Sequence, residues 1–341
     1  MHGVFTVIAC RSGGVRAAGQ GDMLSQARAG REREWNPRRL ERGEPMESQK
    51  LTRRGLLAVG AAAMALGATA PESGTARGVR FGVRTPFPKE LSLRERALLV
   101  HRLGYDGIEL GPEWLNQPAA EILKQLEGTG AAVSAIVGSL QLLNPDPQKR
   151  AEAVELDRQR LRMARELGAD CVIEVPVFGP DRFTDITPVL TPSEVEDRLL
   201  VAGLKQLAAE VRTTGVTLLL EPLTRKETHY MNLQSHGARV VEAVGEPGFR
   251  LLSDFFHMQM EETDIAATLA VTGRHTAYVH LADGAKRTEP GSLPFDYRPG
   301  FRALKKWGFA GWLTVESGAT DNPEAALTRA LAYLKRQWAE A

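Results

Sequence analysis

Four strongly polar residues each follow an apolar run in the second half of the sequence: Glu221, Asp254, His280 and Glu316. They are separated by 33, 26 and 36 residues, a spacing typical of successive repeats. If they converge, the three carboxylates repel one another unless a positive charge lies among them. One imidazole and three carboxylates suit a divalent cation such as Mn²⁺, Mg²⁺, Co²⁺ or Zn²⁺, with positions left for substrate oxygens. Taken singly, Asp254 also fits a helix N-cap and His280 a hydrogen-bonded core residue.

The elements that must position these residues alternate between short apolar runs and longer amphipathic ones. The predicted strands are 78–84, 106–111, 131–138, 171–177, 216–223, 249–256, 276–283 and 311–317. Predicted helices between or after them include 91–103, 118–129, 147–168, 193–214 and 323–340. Eight such units predict an α/β protein, a (β/α)₈ TIM barrel, whose strand ends line one common mouth. An open doubly wound sheet is the alternative, but no glycine-rich phosphate turn follows the first strand.

Composition narrows the functional classes. The 341 residues include 43 Lys and Arg against 42 Asp and Glu, so no strong field attracts nucleic acid or an anionic membrane. Only Cys10 and Cys171 are present, which excludes a disulfide framework and a cysteine-based zinc site. Any metal must therefore be held by histidine and carboxylates.

The segment "KLTRRGLLAVGAAAMALGATA" (50–70) has a twin arginine, a weakly apolar stretch and a small-residue cleavage site. It predicts a twin-arginine signal peptide over 46–70, with 1–45 a non-native or disordered extension and 71–341 the barrel. A membrane anchor or buried helix is the alternative, but 55–70 is shorter than the roughly 20 residues of a spanning helix. We therefore expect a periplasmic or secreted protein with no stable membrane anchor after cleavage.

Several motifs resemble the sugar phosphate isomerase/epimerase family of xylose isomerase-like barrels, which includes ketose 3-epimerases. They are "EPLTRKETHYMN" (221–232), "SDFFHM" (253–258), "VHLAD" (279–283), "EPG" (289–291) and "WGFAGWLTVES" (307–317). The resemblance implies that Glu221, Asp254, His280 and Glu316 hold a divalent metal ion. It also implies that Glu221 and Glu316 form the acid/base pair, one on each face of a sugar.

The same resemblance implies that His257 and Glu227 bind substrate hydroxyls, which requires the chain to leave extended geometry between Asp254 and His257. A plain packing role for His257 is the alternative.

The sequence leaves the roles of four further residues open. An extra residue before "EPG" leaves undecided whether Lys286 or Arg287 faces the substrate, and both also fit a solvated loop. Glu174, at the end of the fourth strand, is either a further inward-facing acid or half of an ion pair, and the same holds for Glu109.

Two carboxylates flanking a metal suit proton transfer next to a sugar carbonyl, through an enediolate. We therefore expect an exported, metal-dependent sugar isomerase or epimerase acting on a small free or oxidised sugar. A lyase or hydrolase of keto-sugars or glycosides on the same metal site is one alternative, and a non-catalytic sugar-binding barrel is another. The histidine-rich strand ends of the related abasic-site endonucleases are missing, which disfavours nucleic acid as a partner. A homo-oligomer stays open.

Overall fold

The computed structural model describes residues 78–341. The predicted extension (1–45) and the predicted signal peptide (46–70) lie outside the described residues. Within the described part of the chain, no helix is both long and apolar enough to cross a membrane.

Eight parallel strands form a closed barrel in sequence order, with the first strand paired to the last. The strands are β1 (Arg80–Thr85), β2 (Gly107–Leu110), β3 (Ala132–Val137), β4 (Cys171–Glu174), β5 (Thr217–Leu220), β6 (Phe249–Asp254), β7 (Thr276–Leu281) and β8 (Trp312–Glu316). The helices are α1 (Leu93–Arg102), α2 (Ala119–Leu126), α3 (Pro147–Leu167), α4 (Pro192–Thr214), α5 (Gln234–Val244), α6 (Phe255–Glu261), α7 (Ile265–Thr272), α8 (Arg298–Lys306) and α9 (Pro323–Ala339). The predicted (β/α)₈ barrel is confirmed.

Local sequence explains where the longer helices begin and end. Ser92 before α1 and Thr191 before α4 each cap the helix N-terminus, and Glu95 and Glu194 complete the reciprocal capping boxes. Helix α3 ends at Gly168, whose φ of 71° is a left-handed conformation that favours glycine. These signals delimit the helices that the sequence predicted best.

A small apolar cluster fills the inside of the barrel below its mouth. Its members are Ala135, Cys171, Ile173, Leu219, Leu252, Tyr278 and Trp312. Gly107 makes room for the Trp312 ring, because a Cβ at this position would lie 2.7 Å from the ring and 2.5 Å from the Ala132 carbonyl oxygen. The interior of the barrel is therefore packed with side chains and is not a pore.

Strand alternation decides which residues face the mouth. In β5 the interior residue is Leu219, so Glu221, two positions later, also points inward. In β4 the interior residues are Cys171 and Ile173, which turns Glu174 to the outside of the barrel. The sequence could not reveal this because both faces of a parallel strand are apolar.

The sixth strand is shorter than predicted. It ends at Asp254, and α6 begins directly at Phe255 because the Asp254 carboxylate accepts a hydrogen bond of 2.7 Å from the Phe256 amide. The chain thus leaves extended geometry where the placement of His257 requires it. Helices α5 to α8 are short, with between 7 and 11 residues each, and none of them corresponds to a predicted helix.

Candidate active site

The four residues that end β5 to β8 come together at the barrel mouth. Glu221, Asp254, His280 and Glu316 each offer one donor atom, and these atoms all lie within 4.8 Å of one another. The first three side chains are buried, and Glu316 is partly buried. The pairing of neighbouring strands places these residues at a similar level along the barrel axis. Asp254 of β6, for example, is directly paired with His280 of β7.

His280 lies at the centre of this cluster and uses both ring nitrogens. Its Nδ1 is 2.9 Å from Glu316 Oε2 and 3.3 Å from Glu221 Oε1, while its Nε2 is 2.7 Å from Glu109 Oε2. Burial opposes a charge on this ring, but the surrounding carboxylates of Glu109 and Glu316 raise the His280 pKa well above its usual value.

Glu109 does face the inside of the barrel, and it also has a basic neighbour. Arg84 Nε lies 3.4 Å from its Oε1, and the Tyr278 hydroxyl donates to its Oε2 at 3.0 Å. Arg84 and Tyr278 were missed at the sequence level. Only the alternation of side chains between the two faces of a strand could have indicated them, because Arg84 lies at an inward-facing position of β1 and Tyr278 at one of β7.

Arg287 is the cation that faces the cluster. Its Nη2 lies 2.7 Å from Asp254 Oδ2 and 2.5 Å from Glu316 Oε2, and its guanidinium lies over the Phe256 ring at 4.6 Å. A positive φ of 52° turns this side chain towards the mouth, whereas Lys286 is exposed to solvent. The structure therefore distinguishes the two residues that the sequence left open.

The two carboxylates of the expected acid/base pair titrate in opposite directions. Burial raises the pKa of Glu221, and the nearby charges of Glu316 and Asp254 add to this effect. Burial also favours protonation of Glu316, but the charges on His280 and Arg287 outweigh it and hold the Glu316 pKa below its usual range. Without a bound cation, the two carboxylates therefore differ in how readily they take up a proton.

His257 and Glu227 lie beside the cluster. The Thr224 amide donates to His257 Nδ1 at 3.2 Å, so the ring proton is on Nε2, which lies 3.4 Å from Asp254 Oδ2. Glu227 Oε1 is 3.9 Å from His257 Nδ1, and 40% of its side chain is exposed. Glu227 therefore remains accessible to a ligand, while His257 orients Asp254.

The idea that Glu174 faces the mouth is wrong. Its carboxylate accepts hydrogen bonds from the Leu140 amide at 3.0 Å and the Ser139 hydroxyl at 3.2 Å. The same hydroxyl oxygen also lies 3.0 Å from Asp157 Oδ2 of α3. Burial raises the pKa of Asp157 to about 7 and, with the neighbouring Asp157 charge, raises that of Glu174 well above its usual value. Glu174 is thus part of a buried carboxyl pair behind β4, and its partner is an acid.

The donor set at the mouth fits a divalent cation. One imidazole nitrogen and three carboxylate oxygens match the preferences of Mn²⁺, Co²⁺, Mg²⁺ or Zn²⁺, and a bound cation would displace the proton that the carboxylates favour on His280. The Nε2 contact to Glu109 also fits, because a metal-binding histidine usually has its other nitrogen paired with a carboxylate or carbonyl.

Curated relatives are similar over most of the described chain. The 3-dehydro-D-guloside 4-epimerase of Escherichia coli (strain K12) is 25% identical over 254 residues, which cover 73% of this chain and 95% of the relative. A probable ketose 3-epimerase of Synechocystis sp. (strain ATCC 27184 / PCC 6803 / Kazusa) is 26% identical over 258 residues, covering 73% of this chain and 87% of the relative.

Solved structures share the fold. The apo crystal structure of 3-keto-D-glucoside 4-epimerase from E. coli has a TM-score of 0.67 at 22% identity, covering 76% of this chain and 99% of that one. D-psicose 3-epimerase, crystallised in the presence of D-fructose, has a TM-score of 0.66 at 19% identity, covering 76% and 99%. A model of the xylose isomerase-like TIM barrel family matches residues 97–337, from within α1 to near the end of α9. The chain therefore belongs to the xylose isomerase-like TIM barrel family.

Proposed function

We propose that this protein is a divalent-metal-dependent sugar isomerase or epimerase that moves a proton next to a sugar carbonyl. The observation that carries the proposal is the convergence of Glu221 and Glu316 on His280 Nδ1, at 3.3 Å and 2.9 Å. The names of the relatives support the same class, because they include 4-epimerases, 3-epimerases and putative hydroxypyruvate isomerases.

The proposed roles follow from the geometry of the mouth. Glu316, which lies beside His280 and pairs with Arg287, removes the proton next to the carbonyl. Glu221, which lies 3.3 Å from the same nitrogen of His280, returns a proton to the other face in epimerisation. A cation held by Glu221, Asp254, His280 and Glu316 would stabilise the negative charge that develops on the substrate oxygens.

Substrate hydroxyls are proposed to meet the residues beside the acid/base pair. Glu227 is partly exposed and accepts hydrogen bonds, while Arg287 donates them. The Asp254 carboxylate stays oriented because its Oδ1 caps α6 and its Oδ2 faces His257 and Arg287. Free or oxidised sugars, including 3-keto glycosides, are the proposed substrate class.

Proton exchange tests this proposal. We would incubate the protein with Mn²⁺ in D₂O with free ketoses, aldoses and 3-keto glycosides, and follow carbon-bound protons by NMR. Deuterium next to the carbonyl with the wild type, and its loss in Glu316→Gln, is expected. Cleavage of a glycosidic bond or loss of water without exchange would instead indicate the hydrolase or lyase alternative. Exchange that persists in Glu316→Gln would contradict the role given to Glu316.

A chelator tests the metal dependence separately. Activity should disappear on treatment with EDTA and return when Mn²⁺ or a related ion is added. Activity that survives chelation would contradict a metal-dependent reaction, whereas sugar binding without exchange by the metal-loaded wild type would favour the non-catalytic alternative.

Export is a further proposal and is supported by the twin-arginine pattern of residues 50–70. Cleavage after Ala70 would release a chain that starts at Pro71 into the periplasm or the medium. N-terminal sequencing of the protein from cell fractions tests this. A cytoplasmic protein that retains residues before Pro71 would contradict it.

A further inference from the structure

A second group of metal-binding side chains lies outside the candidate active site. Asp181 comes from the segment between β4 and α4, Glu196 from α4, and His229 from the segment between β5 and α5. Their donor atoms all lie within 4.8 Å of one another. The group includes a nitrogen donor and draws on three separate segments, so it differs from a run of surface acids.

The backbone fixes the His229 ring. Its Nδ1 lies 2.9 Å from the Gly179 carbonyl oxygen, which also accepts a hydrogen bond of 3.1 Å from the His229 amide. Because a carbonyl oxygen only accepts, the ring proton is on Nδ1. The Nε2 lone pair is then directed at Glu196 Oε1, only 2.6 Å away. Without a bound cation a proton lies between these two atoms, and a cation that replaced it would move them apart. Metal-binding histidines usually have their other ring nitrogen paired with a carbonyl or carboxylate, as Nδ1 is here.

The two carboxylates have different surroundings. Glu196 is only 1% exposed, so a charge on its carboxylate needs a cationic neighbour. Asp181 is exposed, and the Phe183 amide holds its Oδ1 at 2.8 Å. A cavity of about 540 Å³ opens on all three residues. One imidazole and two carboxylates with an open side match a dication with water in its remaining positions.

We propose that Asp181, Glu196 and His229 form a second binding site for a transition-metal dication of the Zn²⁺ type. The cation would fasten the segment between β5 and α5 to α4. That segment also carries Glu227, whose carbonyl accepts a hydrogen bond of 2.7 Å from the Gly179 amide. The site thus orders the backbone around a residue at the barrel mouth. It does not depend on the proposed reaction.

The test measures Zn²⁺ retained after equilibrium dialysis of the full-length chain, in a background where Asp254→Asn and His280→Ala weaken the first site. This background protein should still bind Zn²⁺ tightly. Adding His229→Ala should weaken the remaining Zn²⁺ binding by at least about 100-fold. Loss of a ligand's hydrogen-bond partner alone weakens metal binding by about 10–100-fold, and this substitution removes the ligand itself. His229→Cys, which supplies another metal ligand, should restore part of the affinity.

His236 provides a matched control. It lines the same cavity and pairs with Asp197 at 2.6 Å, but it is not one of the three donors. His236→Ala should leave Zn²⁺ binding unchanged, with circular dichroism showing that each variant is folded. Equal Zn²⁺ retention with and without His229, or no retention in the background protein, would overturn the proposal and leave His229 and Glu196 as an ion pair. If the candidate active site binds no Zn²⁺ but the second site does, the single substitution His229→Ala should abolish all Zn²⁺ binding.

Discussion

The carboxylate of Glu109 on β2 lies 2.7 Å from His280 Nε2 on β7, across the barrel mouth. Two further contacts hold that carboxylate, one from the Tyr278 hydroxyl at 3.0 Å and one from Arg84 at 3.4 Å. The contact leaves Nδ1 facing Glu221 and Glu316. Glu109 is therefore a positioning residue for His280, although it is not one of the four clustered donors.

Replacing Glu109 tests this relationship. Glu109→Gln keeps the size of the side chain but removes its charge, so it should weaken Mn²⁺ binding by about 10–100-fold. Isothermal titration calorimetry with the substrate-free protein measures the change directly.

Glu113 is the control for that experiment, because it also pairs with Arg84, at 3.5 Å, yet its side chain is 45% exposed. Glu113→Gln should bind Mn²⁺ like the wild type. Equal affinities for Glu109→Gln and Glu113→Gln would show that Glu109 does not position His280.

Arg287 should be required for catalysis in a way that its sequence neighbour is not. Arg287→Gln removes charged hydrogen bonds to Asp254 and Glu316, each worth about 1.5–3 kcal/mol. We expect kcat/KM to fall by at least about 10-fold, because 1.4 kcal/mol corresponds to a factor of ten.

The matched variant is Lys286→Gln, in which the same charge is removed from an exposed side chain. Steady-state kinetics on the sugar that shows proton exchange should give wild-type values for it. A larger loss for Lys286→Gln than for Arg287→Gln would reverse the assignment.

The buried pair of Asp157 and Glu174 should make stability depend on pH. The folded-state pKa of Asp157, about 7, lies above the roughly 3.9 of an unfolded aspartate. Protonation therefore stabilises the fold fully below about pH 4, and this contribution is lost as the pH rises through about 7. Asp157→Asn keeps the shape without the titration. Between about pH 4 and pH 8 its free energy of unfolding should gain about 2–4 kcal/mol relative to the wild type.

Urea unfolding at several pH values measures this difference. Glu152→Gln, on the exposed side of the same helix, should follow the wild-type pH profile. Parallel profiles for Asp157→Asn and the wild type would mean that the pair does not share a proton in the folded state.

The fold and the four clustered residues could be predicted from the sequence for one reason. A βα repeat brings every strand end to the same rim, so the first polar residue after an apolar run is placed without knowledge of the packing. Asp254 illustrates this well, because one of its carboxylate oxygens caps α6 and the other lies at the mouth, 2.7 Å from Arg287 Nη2.

The directions in which the Glu174 and Arg287 side chains point could not be predicted from the βα repeat alone. Glu174 also follows an apolar run, but Cys171 and Ile173 face the inside of the barrel, so Glu174 faces outward. The sequence does not reveal which residues of β4 face inward, because both faces of a buried parallel strand are apolar. Arg287 and Lys286 differ only in the backbone angles of a tight turn, where the Arg287 amide donates to the Gly284 carbonyl at 3.0 Å. Neither feature has a signature in residue types.

The mouth is divided unevenly between the two halves of the barrel. All four clustered donors follow or end β5 to β8, whereas Arg84 and Glu109, which set the surroundings of His280, come from β1 and β2. The C-terminal half-barrel thus supplies the four clustered donors, and the N-terminal half supplies two residues that surround His280 from across the rim. A chimera that exchanges only the first two strands with a relative should change how tightly the centre holds its ion while leaving the type of reaction intact.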